Sequence, residues 1–366
     1  MTDYILPGVY LVNGMEEKRS NLKSFSTLFL SFELTYKDLK SKYIYLESMS
    51  DIQAYDCLKK SILLLDAVHV YFKNGGKSLY ILSQTTNINI LTDKQKYINF
   101  LEKNIDVLVN VETIVLVDLF LTEALLLTDT QSTSIQNTIS LYCKNTNRLS
   151  LMDLPLVGLV TSYAKELEHC MTFYPWLKSE ENNILPASIY ASALFSKLAF
   201  ENKVFYSIAN VRLKGIVDLE RLVDRAYASE LYVNNINPII YLQNDGYKIW
   251  GVKMLGSEIE NINTVRVLYF IKRTITLSVK EYIFEPNDSI LEEKIVRKVQ
   301  KFLFNLWNIG ALQGASQDEA FVVNVERIES QLLFHIAISI VKPLEYIVIH
   351  LNRTVDNDTQ STLNIS

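Results

Sequence analysis

Cysteine is scarce in this chain. Cys57, Cys143 and Cys170 are the only three among 366 residues, and three thiols cannot all pair. They lie far apart and match no metal-ligand spacing, so reduced, buried thiols in a cytoplasmic protein are expected. Histidine is almost as sparse. His69, His169, His335 and His350 are scattered, and no HExxH occurs, which excludes the helix-borne zinc site. Glu166, Glu168 and His169 form a charged turn, but their spacing supplies no further ligand. No serine sits in a GxSxG elbow and no GxGxxG is present. The residues therefore point to no enzyme, no cofactor and no metal.

Long apolar runs are also missing. Ile62–Leu65 is short, and Ile114–Leu127 is interrupted by Asp118 and Glu123. A membrane-spanning helix needs about 20 apolar residues, so no direct membrane insertion is expected. The opening MTDYILPGVYL carries Asp3 and lacks both a basic region and an apolar core. No signal peptide is expected, and synthesis, folding and assembly fall in the cytoplasm. Excess positive charge is absent too: the net charge of −5 argues against a general nucleic-acid binder.

One apparent motif fails on its context. Gly76-Lys77-Ser78 looks like the tail of a phosphate-binding P-loop, but Tyr71 stands where that loop needs its first glycine. A P-loop also opens a helix, whereas Asn74-Gly75-Gly76 ends one and opens a strand. The backbone amides would not face a phosphate at a helix N-terminus.

What the chain does have is apolar mass. Hydrophobic residues make up 49% and charged residues 21%, the balance of a globular protein with a sizeable core. Its length allows two domains. Apolar, β-branched runs predict strands at Phe25–Phe32, Lys42–Leu46, Lys77–Leu82, Val107–Val117 and Leu149–Leu154. Helical spacing predicts helices from about Asp51 to Phe72, over Asp93–Asn104 and over Ser132–Lys144. This strand–helix alternation indicates an α/β fold of mixed sheets with packed helices. The polar stretch Ser179–Asn183 reads as a domain boundary. Beyond it come helices at Pro186–Leu198, Leu219–Glu230 and Val265–Val279, a strand at Val211–Ile216, and a hairpin around Asn244-Asp245-Gly246. Asp118 and Asp153 end strands, the position where α/β enzymes place acids. A turn-capping role is the plainer reading of both.

The longest organised stretch is Glu281–Phe321. A strand end is expected at Phe284-Glu285-Pro286, then caps at Asn287, Asp288 and Ser289, then a helix to about Ile309 that stops at Gly310. Leu291, Ile295, Val299, Phe302 and Leu306 form its apolar stripe. Lys294, Arg297, Lys298 and Lys301 share an exposed arc. Both ends of the chain carry strands, at Tyr4–Val12 and Tyr346–Leu351, the second followed by a polar tail from Asn352. Such terminal strands need a sheet edge, in the same chain or in a neighbour.

Several stretches together resemble the tail sheath proteins of contractile phage tails and contractile injection systems. Leu6-Pro7-Gly8-Val9-Tyr10 is similar to that family's opening PGVY. Tyr71–Lys77 resembles its FFxNGG turn, and Tyr174-Pro175-Trp176-Leu177 its YPWL segment. Ile249-Trp250-Gly251, Phe284–Asp288, Gly310-Ala311-Leu312 and Glu319-Ala320-Phe321 follow in the family's order, and Lys342–Tyr346 resembles its closing RPAEF. After Pro186 the chain reads Ala-Ser-Ile-Tyr-Ala-Ser-Ala where the family tends to have glycines. The chain is short for the family, which suits a minimal sheath.

The resemblance implies a structural subunit rather than an enzyme. It implies hexameric rings stacked around an inner tube, and contraction that drives the tube into a target. It also implies strand arms exchanged between subunits, at residues 1–23 and 343–366. Tyr4, Ile5, Val9 and Tyr10 are the candidates in the first arm; Tyr346, Ile347, Val348 and Ile349 are those in the second. Residues 24–183 would be an outer domain and 184–342 a core domain facing the tube through Lys294, Arg297, Lys298 and Lys301. Further copies of the chain, the tube protein, baseplate and cap or terminator proteins, and a disassembly ATPase are the implied partners. The rival readings are a non-contractile baseplate or tail-terminator relative and an α/β enzyme using Asp118 and Asp153.

Overall fold

The computed structural model describes residues 26–31, 34, 43–83, 93–105, 108, 110–117, 129–154, 170–255, 261–286, 288–328, 331–342, 349–351 and 363–365. Strands β1 (Ser26–Ser31) and β2 (Tyr43–Leu46) lead to helix α1 (Ile62–Lys73) and β3 (Leu79–Ser83). Helix α2 (Lys94–Ile105), β4 (Val111–Leu116), α3 (Asp129–Asn145), β5 (Leu149–Asp153) and β6 (Cys170–Tyr174) continue the alternation. Short strands β7 (Leu177–Ser179) and β8 (Ile184–Leu185) precede α4 (Ala187–Phe200). Then come β9 (Ile216–Leu219), α5 (Arg225–Val233) and the hairpin β10 (Ile236–Leu242) and β11 (Gly246–Ile249). Helices α6 (Ile262–Val279) and α7 (Ser289–Asn308) follow, then β12 (Phe321–Ile328), β13 (Gln331–Ile338), β14 (Ile349–Leu351) and β15 (Leu363–Ile365).

One sheet dominates, in the order β11-β10-β6-β5-β4-β1-β3-β2. Its six inner strands pair in parallel, and antiparallel β11 and β2 close the two edges. Both faces are covered, which explains why the strands read as unbroken apolar runs. Phe29, Val115 and Leu151 face the core that holds α1 and α4. Their neighbours Leu28, Leu30, Ile114 and Met152 face the core that holds α2 and α3. Alternation along each strand thus supplies two cores from one sheet.

The sheet overrides the boundary expected at 183/184. Strands β10 and β11 lie beyond that point yet extend the same sheet through β6, and α4 packs into the same core as α1. The polar stretch is a turn tied into the fold: Ser179 and Asn183 both donate hydrogen bonds to the buried Asp66 carboxylate. The separation falls inside α6 instead. Ile262, Val265 and Tyr269 join the sheet's core, while Val267, Ile271 and Val279 join a third core with α7, β12 and β13.

Other expectations shift as well. The strand expected at Val211–Ile216 lies at β9, and the helix expected at Leu219–Glu230 is α5, which starts at the Asp224 cap. No strand ends at Phe284. α6 runs into a tight turn at Lys280–Tyr282, so Glu281–Asp288 connects two helices. The glycines after α1 act as read. Gly75 has φ +96°, and a Cβ on Gly76 would stand 2.2 Å from the Tyr71 ring, so the turn requires glycine at both positions.

Candidate functional site

Helix α7 begins where the cap residues placed it: the Leu291 N–H donates to Asp288 Oδ1 at 2.8 Å. Leu291, Ile295, Val299 and Leu306 are buried, as the stripe predicts, together with Leu303. Phe302 is only half-buried beside them. Both positions keep the three-four spacing, and the third core encloses Leu303 more fully than Phe302.

The basic arc is on the surface, but most of its charge is spent within the chain. Lys294 pairs with Glu285 at 3.5 Å and lies over the Tyr282 ring. Lys298 pairs with Glu281, donates to the Ser278 carbonyl at 2.9 Å and covers the same ring. Its hydrogen bond holds the Glu281 carboxyl below the usual range. Arg297 pairs with Glu293 at 2.9 Å. Among the described residues only Lys301 of the four has no ion pair, and it is exposed. The arc is therefore close to neutral, because glutamates across the α6–α7 turn and one helical turn back fall within reach.

Exposed apolar side chains share the face of α7 that carries Lys301, and helical spacing does not mark them. Ile290, Lys301 and Phe304 lie on one face of α7, and Ile290 is 75% exposed. Phe284, in the preceding turn, is 84% exposed and has φ +74°. That backbone is strained for a bulky residue, and strain of this kind marks functional turns. The off-phase Ile290 beside Leu291 was the available signal in the sequence.

Strands β12 and β13 form a ribbon of eight residue pairs, from Phe321↔Ile338 to Ile328↔Gln331. Among the described residues no third strand joins it. Val323, Leu332, Phe334, Ile336 and Ile338 pack on the third core yet stay only partly buried. A ribbon with open edges and a half-covered apolar face is a template for further strands.

Tyr4, Ile5, Val9 and Tyr10 lie outside the described residues, as do Tyr346, Ile347 and Val348. Ile349 opens β14, which pairs with β15 through Ile349↔Ile365, His350↔Asn364 and Leu351↔Leu363. The tail after Asn352 thus contains a strand, contrary to the polar tail expected. Its alternating Leu363-Asn364-Ile365 explains this.

Asp118 lies outside the described residues. Asp153 ends β5, is buried, and accepts the Ser188 N–H at 3.1 Å in the first turn of α4. It anchors a helix N-terminus, where a carboxylate is favoured. Burial nevertheless pushes its pKa up from 3.8 to about 7. A carboxyl whose folded pKa is raised holds its proton longer than the unfolded chain does. Stability from this group is then complete below pH 3.8 and is lost as pH rises toward 7. Asp153→Asn is expected to gain on the parent by a few kcal/mol between pH 4 and pH 8. Urea unfolding at the two pH values measures this, and an unchanged difference would refute it.

The comparisons extend this picture. Residues 256–354 match the phage tail sheath C-terminal domain family. The tail sheath protein of Vibrio phage KVP40 is 26% identical over 104 residues, 28% of this chain and 16% of that protein. The chain thus matches much less than two thirds of that relative's length. Among solved structures, a chain of the anti-feeding prophage baseplate superposes with a TM-score of 0.76 at 20% identity, covering 96% of this chain and 100% of that one. A chain of an extracellular contractile injection system, the PVC sheath complex in its contracted state, gives 0.74 at 22% identity, covering 97% and 99%. Residues 256–354 are thus similar to the phage tail sheath C-terminal domain, and they are carried on a chain that shares its fold with contractile sheath proteins.

Proposed function

We propose that the chain is the structural subunit of a contractile sheath, polymerising as stacked hexameric rings around an inner tube and contracting to drive that tube into a target. The observation that carries this reading is the agreement in fold along nearly the whole chain with a sheath chain in its contracted state. The open β12–β13 ribbon adds a physical reason. Helical growth needs a heterologous contact between copies, and strands donated by the arms at residues 1–23 and 343–366 to open edges provide one. Baseplate and cap proteins would terminate the polymer, and a disassembly ATPase would recycle it. Electron microscopy of the protein expressed alone is expected to reveal long tubes or stacked rings; dispersed monomers would refute the proposal. The match to a baseplate chain favours a second reading, a static baseplate relative, which would give single rings that never grow.

In the sheath, α7 faces the tube. Lys294, Arg297, Lys298 and Lys301 remain its cationic contact, but Lys301 should dominate, because the other three already hold glutamates. Exposed pairs of that kind are worth about 0–1 kcal/mol, so they yield little on exchange. Lys301→Glu is expected to reduce sheath assembly on purified tube several-fold at low salt, and by less at high salt. Unchanged co-sedimentation at low salt would remove Lys301 from the interface.

A further inference from the structure

Among the described residues, one ion pair has both side chains buried, and it joins the large sheet to the helix shared with the C-terminal unit. Arg266 of α6 donates from Nε to Glu112 Oε1 at 2.6 Å and from Nη2 to Oε2 at 3.1 Å. Glu112 lies on β4, in the interior of the eight-stranded sheet. Arg266 also donates to the carbonyls of Phe195 on α4, at 3.2 Å, and Val204, at 3.4 Å, and its guanidinium lies over the Phe195 ring. Two more bonds fall on the same face of α6. Asn263 donates to the Phe205 carbonyl and Arg273 to Asn110 Oδ1, both at 3.3 Å.

Such a pair is a poor source of net stability. Removing two charges from water offsets most of their attraction, and apolar side chains of similar volume often serve as well. Its geometry is what apolar contacts lack. Helix ridges can repack in neighbouring grooves, whereas a forked guanidinium on a carboxylate permits one rotation and one axial position. We infer that Glu112 and Arg266 are an orientation clamp. They set how α6 lies on the sheet, and hence where α7 and the β12–β13 ribbon stand relative to it. The C-terminal unit then moves with the sheet as one body when copies rearrange. The assembly readout below rests on the sheath reading; the exchange readout does not.

The test uses the full chain with Glu112→Met and Arg266→Met combined. It is expected to melt no lower than the parent. Amide hydrogen exchange in Ile262–Ile328 should nevertheless quicken several-fold while β1, β4 and β5 keep their protection, and tube or ring formation should drop. Arg266→Lys, which keeps the charge and loses the fork, should show the same exchange and assembly defects. A double variant that matches the parent in exchange and assembly overturns the inference. So does one that fails to fold, because the pair would then be a requirement for folding itself. If the parent forms no rings or tubes, the sheath reading fails and the exchange rates alone judge the clamp.

Discussion

Replacing Glu112 alone with alanine is expected to destabilise the chain by about 3–5 kcal/mol, the cost of leaving a buried charge without its partner. Arg266 is fully enclosed, so its guanidinium cannot turn to water. It would retain the Phe195 and Val204 carbonyls, at 3.2 and 3.4 Å, and those acceptors carry no charge. The loss should exceed that of Glu293→Ala several-fold, although Glu293 also pairs with an arginine. Both side chains of the Glu293–Arg297 pair are mostly exposed, and water replaces the contact. Equilibrium urea unfolding followed by the fluorescence of buried Trp176 measures both variants. A loss below about 1 kcal/mol for Glu112→Ala, the level of an ordinary surface pair, would mean that water reaches the guanidinium. The paired methionine variant should recover most of the loss, because it removes both charges.

The parts of the fold that were legible in the sequence are those fixed by near neighbours. The apolar runs of β1, β4 and β5, the glycines after α1 and the Asp288 cap of α7 each depend on a few adjacent residues. The resemblance carried further than the residues alone. It supplied the sheath reading, which no constellation of side chains would have produced. What stayed hidden depends on residues brought together from far apart. β10 joins β6 across a stretch that contains two helices and three short strands, so the boundary expected at 183/184 falls within a single sheet. Arg266 and Glu112 are 154 residues apart, and no local pattern pairs them. The four cations of α7 were counted correctly on one arc. Their neutralisation depends on Glu281 and Glu285, which a strand ending at Phe284 would have pointed elsewhere. Asp153 had an acid's place at a strand end, and only the position of α4 reveals it as a helix anchor.

Deleting Met1–Val12 is expected to abolish growth of the polymer while leaving the fold intact. Among the described residues the sheet is built without them: β1 pairs with β3 and β4. The β12–β13 ribbon, by contrast, has a half-covered apolar face and no third strand among the described residues. A two-stranded ribbon is marginal in water and gains from each added strand. Tyr4, Ile5, Val9 and Tyr10 are the residues that such a strand would bring. The deletion variant should keep the parent's circular dichroism and melting temperature, yet stay dispersed in electron micrographs. A free peptide spanning Tyr4–Val12 should shorten parent tubes in proportion to its concentration, because each captured edge ends a chain of exchanges. A scrambled peptide of the same composition should have no effect. Normal tubes from the deletion variant would sink the arm assignment. Tubes lost together with the fold would instead place Met1–Val12 in the subunit's own core. Removing Tyr346–Ser366 tests the other arm separately. Strand β14 already has an intrachain partner in β15, so this arm must either release that pairing or offer its other edge.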